Sequence, residues 1–165
     1  MARAGFWPIG GYLISFRADG HWYADDEVIG NERIARLFSQ HVQYDENDGW
    51  VIDLGIDRQA VTVEDTGLVV VALRTSGQNQ SAAEPDGDTI EVRTNDGVVS
   101  ALDPTTLKVG DGNVLYCEVD RGERGVIRAR FLRPAYYALA EKMEDSSEGP
   151  VLVCDGKRHR IELPS

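Results

Sequence analysis

Cysteine is scarce in this chain: Cys117 and Cys154 are the only two among 165 residues. Two cannot build a disulfide framework. Each alternates with apolar neighbours in a strand-like run, so buried free thiols are expected. Histidine is scarce as well, and His21, His41 and His159 share no metal-ligand spacing. His41 falls on an apolar helix face, where a hydrogen-bonded core or rim histidine is the expected state. GxSxG, the P-loop and a GxGxxG opening a helix are all missing. No cofactor is expected. Long apolar runs are missing too. Phe6 to Phe16 is broken by Pro8, Gly10 and Gly11, is too short for a bilayer, and has no small-residue cleavage site after it. The default location is cytoplasmic. Positive charge is also in deficit, with 17 Lys and Arg against 28 Asp and Glu, a net charge of −11 and a pI near 4.6. Such a surface argues against duplex nucleic acid and against anionic membranes as partners.

What is present starts with one basic stretch. From Arg121 to Arg133 there are five arginines and one acid, Glu123. Val126 to Leu132 reads as a strand, with Ile127, Ala129 and Phe131 on one face and Arg128 and Arg130 on the other. Pro134 suits the first turn of a following helix. Tyr136, Leu139, Ala140 and Met143 then recur at helical spacing, and the helix is expected to run to about Asp145. Arginine's planar fork suits phosphate or carboxylate, and a helix N-terminus adds free N–H groups. Pairing with the chain's abundant acids is the competing reading for each arginine.

In chain order, residues 1–11 read as an arm tucked down by Phe6, Trp7 and Ile9. Tyr12 to Phe16 and His21 to Tyr23 read as strands around an Asp19-Gly20 turn. Asn31 caps a helix whose face is Ile34, Leu37, Phe38, His41 and Val42. The acidic run Asp45 to Gly49 ends it; Tyr44 at the first position and no glutamate at the twelfth exclude a calcium loop. Trp50 to Leu54 and Gln59 to Val63 form a hairpin, and Leu68 to Leu73 is a strand buried on both faces. Thr75 to Asp88 is expected to be a long mobile loop. Thr89 to Thr94 and Val98 to Leu102 pair through the Asp96-Gly97 turn, and Val114 to Val119 precedes the basic strand. Val151 to Cys154 and His159 to Leu163 close the chain around Asp155-Gly156. Trp22 and Trp50 read as packing anchors.

The two helices sit in matching contexts. Each is followed by an acidic loop ending in glycine, Gly49 or Gly149, then by a strand, a turn and a strand. The pattern holds without gaps from Gly49/Gly149 to Val63/Leu163. Two copies of a ββαββ-like unit predict an α+β fold of two small similar lobes, residues 12–66 and 67–165, each an antiparallel sheet covered by one helix. The cleft between them is the expected ligand site.

An ordered set of runs resembles a bacterial family, the domain of unknown function numbered 1285. The set is Asp19-Gly20-His21-Trp22-Tyr23, Ile29 to Phe38, Val63-Glu64-Asp65, Arg93-Thr94-Asn95, and Arg128 to Leu139. The resemblance implies two α+β lobes with a cleft and brings no catalytic residues. The chain departs from the pattern at Thr66-Gly67-Leu68, where the family has proline and an aromatic, and at Asp155-Gly156-Lys157, where it has a serine-glycine turn. The leading expectation is a ligand-binding or regulatory module. It would hold a small anionic, nucleotide-like molecule against Arg93, Arg128, Arg130 and Arg133, with Asn95 as a polar contact. A protein-interaction adaptor working through the acidic surface is the alternative. An enzyme using Glu64 or Asp65 as acid or base is the third.

Overall fold

A computed structural model describes residues 12–76, 89–154 and 156–163. The N-terminal arm, residues 77–88 and Asp155 lie outside the described residues.

The elements follow one another as β1 (Ile14–Phe16), β2 (Trp22–Ala24), β3 (Glu27–Val28), α1 (Glu32–His41), β4 (Val42–Asp45), β5 (Gly49–Asp53), β6 (Arg58–Ala60), β7 (Thr62–Val63) and β8 (Leu68–Ser76). Then come β9 (Thr89–Thr94), β10 (Val99–Ala101), β11 (Lys108–Val109), β12 (Leu115–Asp120), β13 (Val126–Phe131), α2 (Arg133–Ala140), β14 (Met143–Ser146), β15 (Gly149–Cys154) and β16 (Lys157–Arg160). The fold is α+β, mostly strand with two helices.

Among the described residues four sheets form, ordered β3-β2-β1-β7, β4-β5-β6, β10-β9-β8-β13-β12-β11 and β14-β15-β16. Most neighbours are antiparallel, but β1 pairs β7 and β8 pairs β13 in parallel. Each helix is followed by an antiparallel three-stranded meander. The buried side chains of these sheets and helices form one cluster, from Ile14, Phe16 and Trp22 through Phe38, Leu68 and Val92 to Leu139 and Leu152.

Both helices stop sooner than their apolar spacing predicts. Val42 and Met143 fit the helical period, yet each opens a strand, β4 and β14. A residue that is apolar at the junction satisfies both periods, so periodicity alone cannot place the boundary. The acidic run after α1 is therefore a hairpin turn. The Asp45 carboxylate accepts the N–H groups of Asn47 and Asp48 at 2.7 and 3.0 Å, and Gly49 takes φ +75°. The strand expected over Gln59 to Val63 is split. β6 pairs β5, whereas β7 leaves that sheet and lies beside β1. Thr75 and Ser76, expected in a loop, extend β8 opposite Ile90 and Thr89. Along β8 only Leu68 to Val70 are fully buried; Val71 to Leu73 are half-buried.

Candidate functional site

The Asp96-Gly97 turn does more than reverse the chain between β9 and β10. Gly97 takes φ +86°, as a tight turn requires, and Asp96 turns inward, its side chain 0% exposed. Arg121 meets it at 2.8 Å and Arg124 at 3.0 Å. Thr94 Oγ1 donates to the same carboxylate at 2.5 Å and accepts from Arg121 at 2.6 Å. Burial alone would raise the Asp96 pKa; the Arg121 and Thr94 hydrogen bonds and the Arg121 charge outweigh it and hold the pKa below the ordinary value. Arg124 also donates to the carbonyls of Ser39 and Val42, at 2.8 and 3.0 Å. Two arginines of the basic stretch are thus internal fasteners. Arg124 ties the end of α1 to the Asp96 turn of the six-stranded sheet, and Arg121 holds that turn from within the sheet.

A second polar chain runs alongside. The Ser39 hydroxyl, buried on α1, accepts from the Trp22 indole N–H at 2.9 Å and from the Asn95 side-chain amide at 2.7 Å. Asn95 also pairs with Val69 through both its backbone N–H and its side-chain oxygen, at 3.1 and 3.0 Å. Trp22 is held in place by Phe16 at 4.7 Å and by Phe38, edge-on, at 5.6 Å. It is a packing anchor whose edge reaches the cavity described next.

Above this chain lies a cavity of about 420 Å³. Gly20, Trp22, Glu32, Ala35, Arg36 and Ser39 line it from the first turn, β2 and α1, and Val71, Arg93, Thr94, Asn95 and Gly97 from β8, β9 and the turn after it. Gly20 admits the close approach of the first turn to the sheet. A Cβ there would lie 3.1 Å from Val69 and 3.2 Å from Leu132, at φ +86°. Arg36 lies over the β9–β10 turn, with its Nε 3.6 Å from where a Gly97 Cβ would be. Neither Arg36 nor Arg93 has an acidic partner among the described residues, although the chain has a large excess of acids.

Of the expected site residues, Arg93 and Asn95 line this cavity. Arg128, Arg130 and Arg133 do not. Arg130 is ion-paired to Asp65 at 2.9 Å. Arg128 stacks on the Tyr116 ring at 4.3 Å, opposite Glu118 in the ladder. Arg133 is exposed at the start of α2. Asp65 also accepts the Tyr116 hydroxyl at 2.9 Å, and the Tyr116 pKa is raised by burial and by that bond. Glu64 is exposed and accepts the Ala18 N–H at 2.7 Å. Neither carboxylate lines the cavity. Arg36 and Glu32 also line the cavity; on sequence they are only part of the polar face of an amphipathic helix. No group of three His, Cys, Asp or Glu that could hold a metal occurs among the described residues. No described helix is long and apolar enough to cross a membrane.

The architecture is that of the proteins grouped as domain of unknown function 1285, as the ordered motifs imply. A family protein from Shewanella baltica OS155 superposes with a TM-score of 0.58 at 21% identity, covering 79% of this chain and 92% of that one. One from Silicibacter pomeroyi DSS-3 superposes with a TM-score of 0.62 at 16% identity, covering 90% of this chain and 79% of that one. At such identities the likeness is one of fold. No family model and no curated protein matches the chain.

Proposed function

We propose that the chain is a ligand-binding or regulatory module that takes a small anionic molecule in the cavity between α1 and the six-stranded sheet. Residues 12–66 and 67–165 act as two lobes in this reading, and the cavity is the cleft between them. The observation that carries it is the pair Arg36 and Arg93, two exposed guanidiniums that line one cavity and have no acidic partner among the described residues. A planar fork left unpaired in an acidic protein is suited to a carboxylate or phosphate. Asn95 spends one amide N–H on Ser39 and keeps a second for a ligand. The volume lies near the lower end of the range for small-molecule sites, roughly 300–1,000 Å³, which favours a metabolite over a dinucleotide.

The test is a thermal-shift screen of nucleotides, phosphorylated metabolites and carboxylates against the wild-type chain and R36A/R93A. A ligand at about a hundred times its dissociation constant adds about 2.7 kcal/mol, a rise of several degrees for a chain of this size. The expected result is a hit that the double variant abolishes and that R128A/R130A leaves intact. A hit insensitive to R36A/R93A places the site elsewhere. A flat screen turns the reading to the adaptor, in which the net charge of −11 meets a basic partner.

A further inference from the structure

Glu32 and Arg36 stand four residues apart on α1, the spacing at which a glutamate and an arginine ordinarily pair along a helix. Here they do not. No ion pair joins them, and Glu32 has no cationic partner among the described residues. The Arg36 guanidinium lies instead against Gly97 in the β9–β10 turn. Both side chains, and Arg93, line the same cavity. The cavity thus presents two positive forks and one carboxylate, each without an ionic partner, and the Asn95 amide nearby.

We infer that the ligand is a small zwitterion carrying one ammonium group and two anionic groups. The inference rests on the anion-binding reading above. Charge complementarity is the argument. An ammonium opposite Glu32 and two anionic groups opposite Arg36 and Arg93 leave every charge at the site matched. A plain dianion satisfies the arginines but faces the Glu32 carboxylate with a like charge, and like-charge juxtaposition selects against the wrong ligand. A monoamine monocarboxylate leaves one guanidinium unmatched. Two chemical sources share the required pattern: acidic α-amino acids, and phosphate monoesters of hydroxy-α-amino acids. The Asn95 N–H adds a neutral donor suited to a carboxylate or phosphate oxygen.

The experiment is calorimetric titration of wild-type protein, E32Q and R93A with L-glutamate, L-aspartate, O-phospho-L-serine, succinate, glutarate and inorganic phosphate. The expected result is binding of at least one of the ammonium-bearing probes, at least tenfold tighter than succinate, glutarate and phosphate. E32Q should erase that preference by weakening the zwitterion and tightening the dianions, and R93A should weaken all of them. Glutamate or aspartate ahead of phosphoserine identifies the amino-acid source, and the reverse order the phosphomonoester. If dianions bind as tightly as zwitterions and E32Q changes no ratio, the zwitterion assignment is overturned while anion binding stands. If none of the probes binds wild type or E32Q, the zwitterion assignment is overturned. If probes do bind but R93A affects none of them, the anion site falls with it.

Discussion

Asp96 is the residue on which most depends. Breaking a buried ion pair by removing one partner costs about 3–5 kcal/mol, and Asp96 serves two arginines that are only 7% and 15% exposed. D96N is expected to lose that much at neutral pH in urea unfolding, with Arg121 and Arg124 left buried beside a neutral amide. The pH dependence follows from the lowered pKa. Its contribution is fully present above the ordinary aspartate value near 4 and is lost as pH falls through the lower folded value. Wild-type stability should therefore drop below about pH 4, and the D96N curve should be flatter there; parallel curves would refute the role. On sequence Asp96 is half of an Asp-Gly turn, which was read correctly. Its inward carboxylate was not legible, because its partners Arg121 and Arg124 lie in another turn that only the fold brings near. Cys117 shows the opposite case. An alternating strand announces its burial, and burial pushes its thiol up to about 12. A thiolate-seeking reagent should leave it unmodified until the chain unfolds.

At the scale of elements, the junction of β7 and β8 turns on Gly67. A Cβ there would stand 2.6 and 2.7 Å from the Trp50 ring and 3.1 Å from Ile127. The ring belongs to β5 and Ile127 to β13, so this glycine lets a strand of one sheet rest on another. A rigid indole cannot yield as a flexible tip would. G67A is expected to cost about 1–3 kcal/mol and to shift the tryptophan emission, read by urea unfolding followed by fluorescence. Unchanged stability would show that the contact relaxes freely. Here the sequence was informative about kinds of element and less so about their partners. Asn31 capping α1, the Asp96-Gly97 hairpin and the face alternation of β13 were all legible from local chemistry. The parallel pairings were not, since residues 62 and 15, or 129 and 68, carry no local sign of each other. The partners of the β13 arginines were not legible for a related reason: an arginine stacked on Tyr116 and one paired to Asp65 look alike until the sheet is assembled.

Across the whole molecule, no strand ladder among the described residues joins residues 12–66 to residues 67–163, apart from side chains and turns that reach over. Yet the core is one cluster, and the Asp96 and Ser39 networks cross the seam. Unfolding should accordingly be a single cooperative transition. Tryptophan fluorescence of a W7F variant, reporting Trp22 and Trp50, and Cys117 labelling, reporting β12, should give coincident midpoints. Separate midpoints would show that the two parts hold themselves together independently.

The parallel contact of Leu68–Val70 with Ala129–Phe131 also sets an order of events during synthesis. β1 and β7 can meet once residue 63 has left the ribosome, but β8 waits for a strand about 60 residues further along. Until then one flank of an apolar strand has no neighbour, and such an open edge is a template for pairing with another chain. Nascent or truncated forms that end before Val126 carry that hazard. The finished protein hides it in the middle of its widest sheet.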